Sequence, residues 1–235
     1  MPNFDSFTPR DWNAHPPNLS PDYKSAPLRA PTMPLVIIPQ GLTEMTGPIF
    51  GQDAVGKFDH DLTKNAVGSR EPNGERIIVA GTVQDESGNP IPDILLEIWQ
   101  PNAAGRYNHA DDQHDAPLDP NFLGAGRCVT DHRGRYRFIT IKPGAYPWGN
   151  HYNAWRPSHI HFSLFGPSIM TRLVTQMYFL GDPLLELDPI YNSVPEAARN
   201  LLVANLSMQI SKSDWALGYE FNIHLRGRNA TPMES

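Results

Sequence analysis

Residues 76–100 read RIIVAGTVQDESGNPIPDILLEIWQ, and this stretch decides the fold class. Two apolar runs rich in Ile, Leu and Val, at 76–84 and 94–100, flank the polar cluster DESGNP at 85–90. Strand-forming residues on both sides of Gly, Asn and Pro are typical of β-strands joined by a turn. The pattern therefore predicts two paired strands.

The same succession of strands and turns continues toward the C-terminus. Segments 127–130 and 136–141 flank Asp-His-Arg-Gly in the same way, and 158–165 and 172–179 are two further predicted strands. From residue 219, Tyr, Phe, Ile and Leu alternate with Glu, Asn, His and Arg, which predicts one buried and one polar face. The segment 195–206, PEAARNLLVANL, is the one predicted helix. Short strands with Gly/Pro turns predict an all-β sandwich with one short helix near the C-terminus. The segment 81–99 also resembles transthyretin-type modules, which implies a transthyretin-like β-sandwich.

The first 75 residues differ in composition from the rest. Ten of the 24 prolines lie within the first 50 residues, and proline fixes φ and removes a main-chain donor. We therefore predict a Pro-rich extended N-terminal arm over 1–75 and a β-sandwich domain over 76–235. A disordered N-terminus is the alternative, but apolar residues such as Trp12, Tyr23 and Phe50 favour an arm that packs on the domain or on a partner chain.

Charge and composition exclude several classes of protein. The 235 residues include 19 basic and 25 acidic side chains, a net charge of −6, without a run of Lys or Arg that would suggest a nucleic-acid partner. The single Cys128 excludes an internal disulfide and a Cys-based zinc site. The apolar runs are far shorter than the ~20 residues of a membrane span, and the N-terminus lacks the regions of a secretory signal. We expect a cytoplasmic protein that contacts neither a membrane nor nucleic acid.

A pair of histidines is the first feature that suggests chemistry. His159 and His161 lie two residues apart in a predicted strand, so both imidazoles point to one face and can reach one metal ion. Carboxylates would complete a ferrous or zinc site. Tyrosines would suit a stronger Lewis acid such as ferric iron, since a phenol has a pKa of ~10. The carboxylate candidates are Asp119, Asp131 and Glu186, and the tyrosine candidates are Tyr107 and Tyr146.

The residues alone leave three classes open. The first is a ferric enzyme that uses tyrosines, and the second is a ferrous or zinc enzyme that uses a carboxylate. The third is a non-catalytic sandwich module that binds other proteins or carbohydrate, because a segment such as 81–99 also occurs in modules without enzymatic activity.

Four motifs in order narrow the choice: EIWQPNAAGRY at 97–107, APLDPNF at 116–122, IKPGAYPW at 141–148 and WRPSHIHF at 155–162. In these motifs the chain resembles the intradiol ring-cleaving dioxygenases, and among them the iron-bearing chain of the protocatechuate branch. The resemblance implies a non-haem Fe(III) cofactor and the cleavage of protocatechuate by O2 to 3-carboxy-cis,cis-muconate, a step of the β-ketoadipate pathway. It also implies the iron ligands Tyr107, Tyr146, His159 and His161.

The same resemblance implies roles for residues around the iron. Tyr146 would act as a general base toward the substrate hydroxyls, Arg156 would stabilise negative charge on the ring, and Gln176 would lie near the O2 site. The implied lining of the substrate pocket consists of Tyr23, Trp99, Trp148 and Ile190.

The resemblance also implies a partner and reveals one departure. In the family a homologous α chain without metal ligands joins the iron-bearing chain, so that αβ protomers repeat in a larger hetero-oligomer with the active site between the chains. Gly149 stands after Pro147-Trp148, where the family commonly carries an arginine that receives the substrate carboxylate. Tyr23, His151 or the partner chain would then have to supply that donor.

Overall fold

The computed structural model describes residues 11–17, 19, 23–24, 31, 33, 55–66, 68, 70–152, 154–166 and 172–234. The strands are β1 (Arg76–Gln84), β2 (Leu95–Trp99), β3 (Ala125–Val129), β4 (Arg135–Ile141), β5 (Tyr146–Pro147), β6 (Trp155–Arg156), β7 (His159–Phe165), β8 (Leu173–Phe179), β9 (Val203–Leu206), β10 (Leu217–Glu220) and β11 (Ile223–His224). The helices are α1 (Pro189–Ser193) and α2 (Glu196–Arg199), with short 3₁₀ turns at Trp12–Ala14, Leu185–Leu187 and Asn200–Leu202.

Nine of these strands form one mixed sheet that curls around a single core. The order is β11-β1-β10-β9-β8-β7-β2-β3, and β4 pairs with β1 in the antiparallel direction. Phe138 of β4 and Phe162 of β7 lie far apart in this order, yet their ring centroids are 5.8 Å apart and both side chains are buried. The chain is therefore mostly β, as predicted, with a barrel-like sheet. β5 and β6 form a separate two-stranded ribbon.

β1 and β2 do not form the predicted pair. Asp85 accepts hydrogen bonds from two main-chain N–H groups of the polar cluster, so the tight turn itself is present. Pairing ends after the Gln84–Pro90 bridge, because Pro92 has no N–H and Asp93 takes a left-handed backbone conformation with φ 58°. β2 pairs with β3 and β7 instead.

The second predicted pair is also wrong. The turn after β3 is closed by a hydrogen bond from the Asp131 N–H to the Arg135 carbonyl, but β3 pairs with β2 while β4 pairs with β1 along its whole length. Each turn therefore carries the chain from one part of the curled sheet to another. The apolar side chains of both flanking strands then face the shared core from different sides.

The end of the chain follows its predicted alternation. Tyr219, Phe221 and Ile223 are buried, while Glu220 and Asn222 are exposed. The strand is divided into β10 and β11 where the Asn222 side chain accepts hydrogen bonds from the N–H and hydroxyl of Thr82 in β1, 2.9 Å in both cases.

The helix predicted over 195–206 is shorter than expected. Helical structure ends at Leu202, and Val203–Leu206 is strand β9, which runs parallel to β8 through the pairs Tyr178–Val203 and Phe179–Ala204. A helix through residue 206 would leave this edge of β8 unpaired, whereas a β-branched valine suits a strand. Helix α1, which precedes it, was not predicted.

Much of the predicted arm lies outside the described residues. Of the part that the structure describes, His15 accepts a hydrogen bond from the Met233 N–H at 3.0 Å, and Tyr23 packs against Trp148 and Ile190. Asp61 forms a bridge with Ile139 of β4. The boundary at residue 75 stays a prediction. Within the described ranges, no helix is long and apolar enough to cross a membrane.

Candidate metal centre and active site

β7 brings the two predicted histidines together. Ile160 points into the core, so His159 and His161 share the opposite face, where their ring centroids are 4.9 Å apart. The sheet register sets Trp99 of β2 and Gln176 of β8 on either side of His161. One row across three strands therefore contains three of the residues singled out from the sequence.

Two tyrosines from outside the large sheet meet this histidine face. Tyr146 lies in β5, and its Oη is 3.2 Å from Nε2 of His159. Tyr107 lies in the loop after β2, and its Oη is 3.1 Å from Nε2 of His161. The two phenol oxygens are 3.4 Å apart. Three separate segments of the chain thus bring two phenol oxygens and two imidazole nitrogens together.

A close contact between two loops sets the positions of the tyrosines. The Asn102 side-chain oxygen accepts hydrogen bonds from the N–H groups of Ala104 and Arg106, which closes the loop before Tyr107. Gly105 has φ +79°, and a Cβ there would lie 2.1 Å from the carbonyl oxygen of Ala145. Because glycine tolerates both the left-handed backbone and this contact, the Tyr107 loop can touch the segment that carries Tyr146.

The four donor atoms suit a single metal ion. Ligands at about 2 Å from an ion lie roughly 3 Å from each other, and the three separations between phenol oxygens and their neighbouring donors are 3.1–3.4 Å. Nδ1 of His159 lies 2.7 Å from the Pro157 carbonyl oxygen, which can only accept, so the proton is on Nδ1 and Nε2 is free to bind. Two hard phenolate oxygens together with two imidazole nitrogens, which are donors of intermediate hardness, fit ferric iron.

The protein environment favours the neutral form of three of the metal-free donors, His159, Tyr107 and Tyr146. Burial lowers the pKa of His159 well below its ordinary value, and the nearby Arg156 charge acts in the same direction. Burial also raises the pKa of Tyr107 and of Tyr146 above the usual value for a phenol. Both phenols therefore need a strongly Lewis-acidic partner to ionise near neutral pH.

The carboxylate alternative finds no support in the geometry. No group of three His, Cys, Asp or Glu side chains that could hold a metal ion occurs among the described residues. Asp119 accepts hydrogen bonds from the Asn73 and Asn121 N–H groups, and Asp131 binds Arg135 in a turn. Glu186 is exposed.

Arg156 is buried beside the metal-binding face. It is the register partner of Tyr146 in the β5–β6 ribbon. Its Nε lies 2.8 Å from Oδ1 of Asp188, and its Nη2 donates to Oδ2 of Asp188 at 3.1 Å, to Tyr178 Oη at 3.0 Å and to the side-chain oxygen of Gln176. Burial opposes its charge, but Tyr178 and Asp188 raise the pKa of Arg156 above its ordinary value.

The expected pocket residues fall into two places. Tyr23, Trp148 and Ile190 form one cluster, with the Tyr23 and Trp148 ring centroids 4.7 Å apart, and the Arg156 guanidinium lies 5.7 Å from the Trp148 ring. Trp99 instead stacks on His161, with centroids 4.8 Å apart and planes 7° from parallel. Its contact in the structure is thus with a candidate metal ligand.

The sequence reasoning missed three side chains of this site. Asp188 pairs with Arg156, and its carboxylate also accepts from the N–H groups at the start of α1. Tyr178 donates to Gln176 at 2.8 Å. Glu234 lies 3.1 Å from Nδ1 of His161. The capping position of Asp188 before Pro189 is a sequence signal that could have located α1, but it carries no information about Arg156.

Beside the curled β-sheet, two tyrosines, two histidines and a buried arginine converge in the arrangement expected of an enzyme with a metal site. The chain belongs to the intradiol dioxygenase family, whose members are non-haem iron enzymes. A family described as "Dioxygenase" matches residues 45–227, and one described as "Protocatechuate 3,4-dioxygenase beta subunit N terminal" matches residues 8–41.

Individual relatives agree with this membership. The chain is 62% identical to the protocatechuate 3,4-dioxygenase beta chain of Burkholderia cepacia, over 97% of each chain. It is 27% identical to the protocatechuate 3,4-dioxygenase alpha chain of Pseudomonas putida, over 85% of this chain and 98% of that one. Among solved structures, 3-chlorocatechol 1,2-dioxygenase of Rhodococcus opacus matches with a TM-score of 0.56 and 26% identity, over 72% of this chain and 65% of that one.

Proposed function

We propose that this chain binds ferric iron and uses O2 to open the ring of protocatechuate between its two hydroxyl-bearing carbons. Both oxygen atoms enter the product, 3-carboxy-cis,cis-muconate. The convergence of two phenol oxygens and two imidazole nitrogens, each 3.1–3.4 Å from its neighbours, is the observation that carries this proposal. The name of the 62% identical relative supports protocatechuate as the substrate.

Tyr107, Tyr146, His159 and His161 would hold the iron. When bound, a ferric ion lowers the pKa of catechol hydroxyls and makes the ring reactive toward O2. Tyr146 lies in a two-residue strand opposite Arg156. As a phenolate, it is the protein group that takes up one hydroxyl proton of the substrate.

Arg156 supplies fixed positive charge. Asp188, Tyr178 and Gln176 hold its guanidinium from one side, so it needs no reorganisation when negative charge develops on the substrate ring. Prearranged charge in a site that excludes water is the most effective form of electrostatic stabilisation. Gln176, the register neighbour of His161, stands on the same row and is our candidate for the O2 side of the site.

The substrate carboxylate needs a donor other than an arginine at position 149. A Cβ at Gly149 would meet no atom within 4 Å in the described structure, so the space that a larger side chain would fill is open. The His151 ring stacks on Trp148 beside it, with centroids 5.9 Å apart, and the Lys24 ammonium donates to the Gly149 carbonyl at 3.1 Å. We propose that Tyr23 or His151 receives the carboxylate, alone or with a partner chain.

Three broader features belong to the same proposal. A homologous α chain completes the site, which is supported by the existence of α chains related to this one. The curled sheet is a closed variant of the transthyretin-like β-sandwich, with residues 1–75 as an arm, and the match at residues 8–41 to a β-subunit N-terminal family supports the arm. The cytoplasmic location stays a prediction.

A visible absorption spectrum of the iron-loaded protein tests the proposal. We expect a broad tyrosinate-to-iron band that shifts on anaerobic addition of protocatechuate, with a smaller response to catechol, which lacks the carboxylate. Tyr146→Phe should alter the band, whereas Tyr152→Phe, at a tyrosine that is 82% exposed, should leave it unchanged. A colourless protein with bound metal would contradict tyrosine ligation, and equal responses to catechol and protocatechuate would contradict the carboxylate pocket.

A further inference from the structure

Glu234 comes from the end of the chain to one of the two candidate histidine ligands. Its Oε2 lies 3.1 Å from Nδ1 of His161, and the side chains of Glu234 and His161 are 23% and 10% exposed. We propose that Glu234 is the positioning residue of His161: its carboxylate holds the proton on Nδ1 and directs Nε2 toward the metal. This role rests on the iron site proposed above.

The segment that carries Glu234 is anchored to the sheet by main-chain and side-chain hydrogen bonds. The Glu234 N–H donates to the Val174 carbonyl in β8 at 2.8 Å, and the Thr175 hydroxyl donates to the Pro232 carbonyl at 2.7 Å. Before it, the Thr231 N–H donates to the His224 carbonyl in β11 at 2.9 Å. The carboxylate is therefore held in place by the fold and does not depend on the conformation of a loose tail.

The two histidines are oriented by different devices. Pro157, two residues before His159, supplies a neutral carbonyl oxygen at 2.7 Å, so that His159 is oriented within its own segment. His161 is oriented by a charged group 73 residues later in the chain. A carboxylate on the outer nitrogen makes an imidazole a more basic ligand than a carbonyl does. The geometry therefore gives His161 a charged partner on its outer nitrogen, whereas His159 has a neutral one.

Other contacts of His161 match this role. Trp99 stacks on one face of the His161 ring. Because stacking does not fix how the ring is rotated within its own plane, hydrogen bonds must fix that rotation. Glu234 occupies the Nδ1 side and Tyr107 the Nε2 side. Glu234 also lines a small cavity together with Gln176 and Tyr178, two of the residues that accept hydrogen bonds from Arg156. The carboxylate thus lies between the metal-binding face and the Arg156 network.

Competition for ferric iron tests this role without relying on turnover. The full chain, purified as it assembles, is loaded with ferric iron and titrated with a chelator such as EDTA while the visible band reports occupancy. For Glu234→Gln, which keeps the shape but removes the charge, we expect a loss of affinity of about 10–100-fold. Glu234→Ala should lose at least as much. Glu186→Gln removes one charge from an exposed glutamate and should stay within about 2-fold of wild type.

Thermal unfolding of the metal-free variants separates this role from a structural one. Unchanged iron affinity in Glu234→Gln and Glu234→Ala would overturn the proposal, and a lowered unfolding temperature with unchanged affinity would show that Glu234 only fastens the chain end. If the wild-type protein binds no ferric iron, the proposed iron site is wrong, and the role of Glu234 is wrong with it. That result is distinct, because it appears before any substitution is made.

Discussion

Arg156 keeps a full charge in the interior of the protein. Its side chain is 2% exposed, and Asp188, its ionic partner, is 0% exposed. A buried ion pair adds little net stability, because the loss of hydration offsets the attraction, but removing one partner leaves the other uncompensated and costs about 3–5 kcal/mol. Because Arg156 is the register partner of Tyr146 in the β5–β6 ribbon, we propose that its charge acts in catalysis.

Replacement of Arg156 by alanine should separate colour from turnover. The four metal donors do not include Arg156, so we expect the iron band to remain while kcat falls by about 10²–10³-fold, the loss typical of removing one donor to developing negative charge. Arg156→Lys keeps a positive charge near Asp188 but loses the planar guanidinium group. Its kcat should therefore lie between those of the wild type and of Arg156→Ala. Arg133→Ala, at an exposed turn position, is the matched control. An unchanged kcat in Arg156→Ala would rule out this role.

Some residues of the candidate site can be recognised from their sequence context, and others cannot. The spacing of His159 and His161 in an apolar strand indicates a shared face directly. Tyr107 lies in a loop, where no periodicity applies, so its role was expected only from the resemblance to the family. Asp188 and Glu234 are single acidic residues far along the chain from their partners, and only the folded chain brings them to Arg156 and His161.

At the level of elements, the contact between the Tyr107 loop and the Tyr146 segment sets the positions of the two candidate phenol ligands. Gly105→Ala should impose a strained backbone and also push the loop away from Ala145. Gly88→Ala is the control, because Gly88 has a similar φ of +81° but no described atom within 4 Å of its missing Cβ. Both should lose about 1 kcal/mol or more of stability from backbone strain.

Only the Gly105 variant should lose iron. The clash displaces Tyr107 Oη relative to Tyr146 and the histidines, and ligand sets tolerate errors of only a few tenths of an ångström. Iron content per chain, measured beside the urea midpoint of each variant, tests this. If Gly105→Ala binds iron as fully as Gly88→Ala does, the loop contact does not set the ligand geometry.

The elements also show where local patterns stop being informative. The positions of β1, β2, β7 and β8 follow from strand periodicity, and the structure has them within a residue or two. Their partners do not follow, because a tight turn such as the one at Asp85 fits both a hairpin and a crossing to another part of the sheet. The sequence before residue 203 favours a helix, but at 203–206 the chain forms a strand because it pairs with the otherwise open edge of β8.

For the whole molecule, exposed apolar side chains and net charge are the two surface properties that bear on the proposed assembly. Leu180, Leu187 and Met208 are 72%, 70% and 76% exposed, so large apolar side chains face outward at several places. The net charge of −6 gives an anionic substrate no general attraction. Capture of protocatechuate must therefore depend on local donors, and a second chain over the Tyr23–Trp148 cluster is a way to supply them.

Expression with and without a homologous α chain tests the assembly. With the α chain, we expect sedimentation of a hetero-oligomer larger than one αβ pair. Without it, we expect a chain that associates with itself or precipitates, because its apolar side chains stay uncovered. Protocatechuate turnover should fall in the isolated chain, while the iron band should persist, since all four candidate donors come from this chain. A stable and fully active monomer would refute the assembly and would place the carboxylate donor within this chain, at Tyr23 or His151.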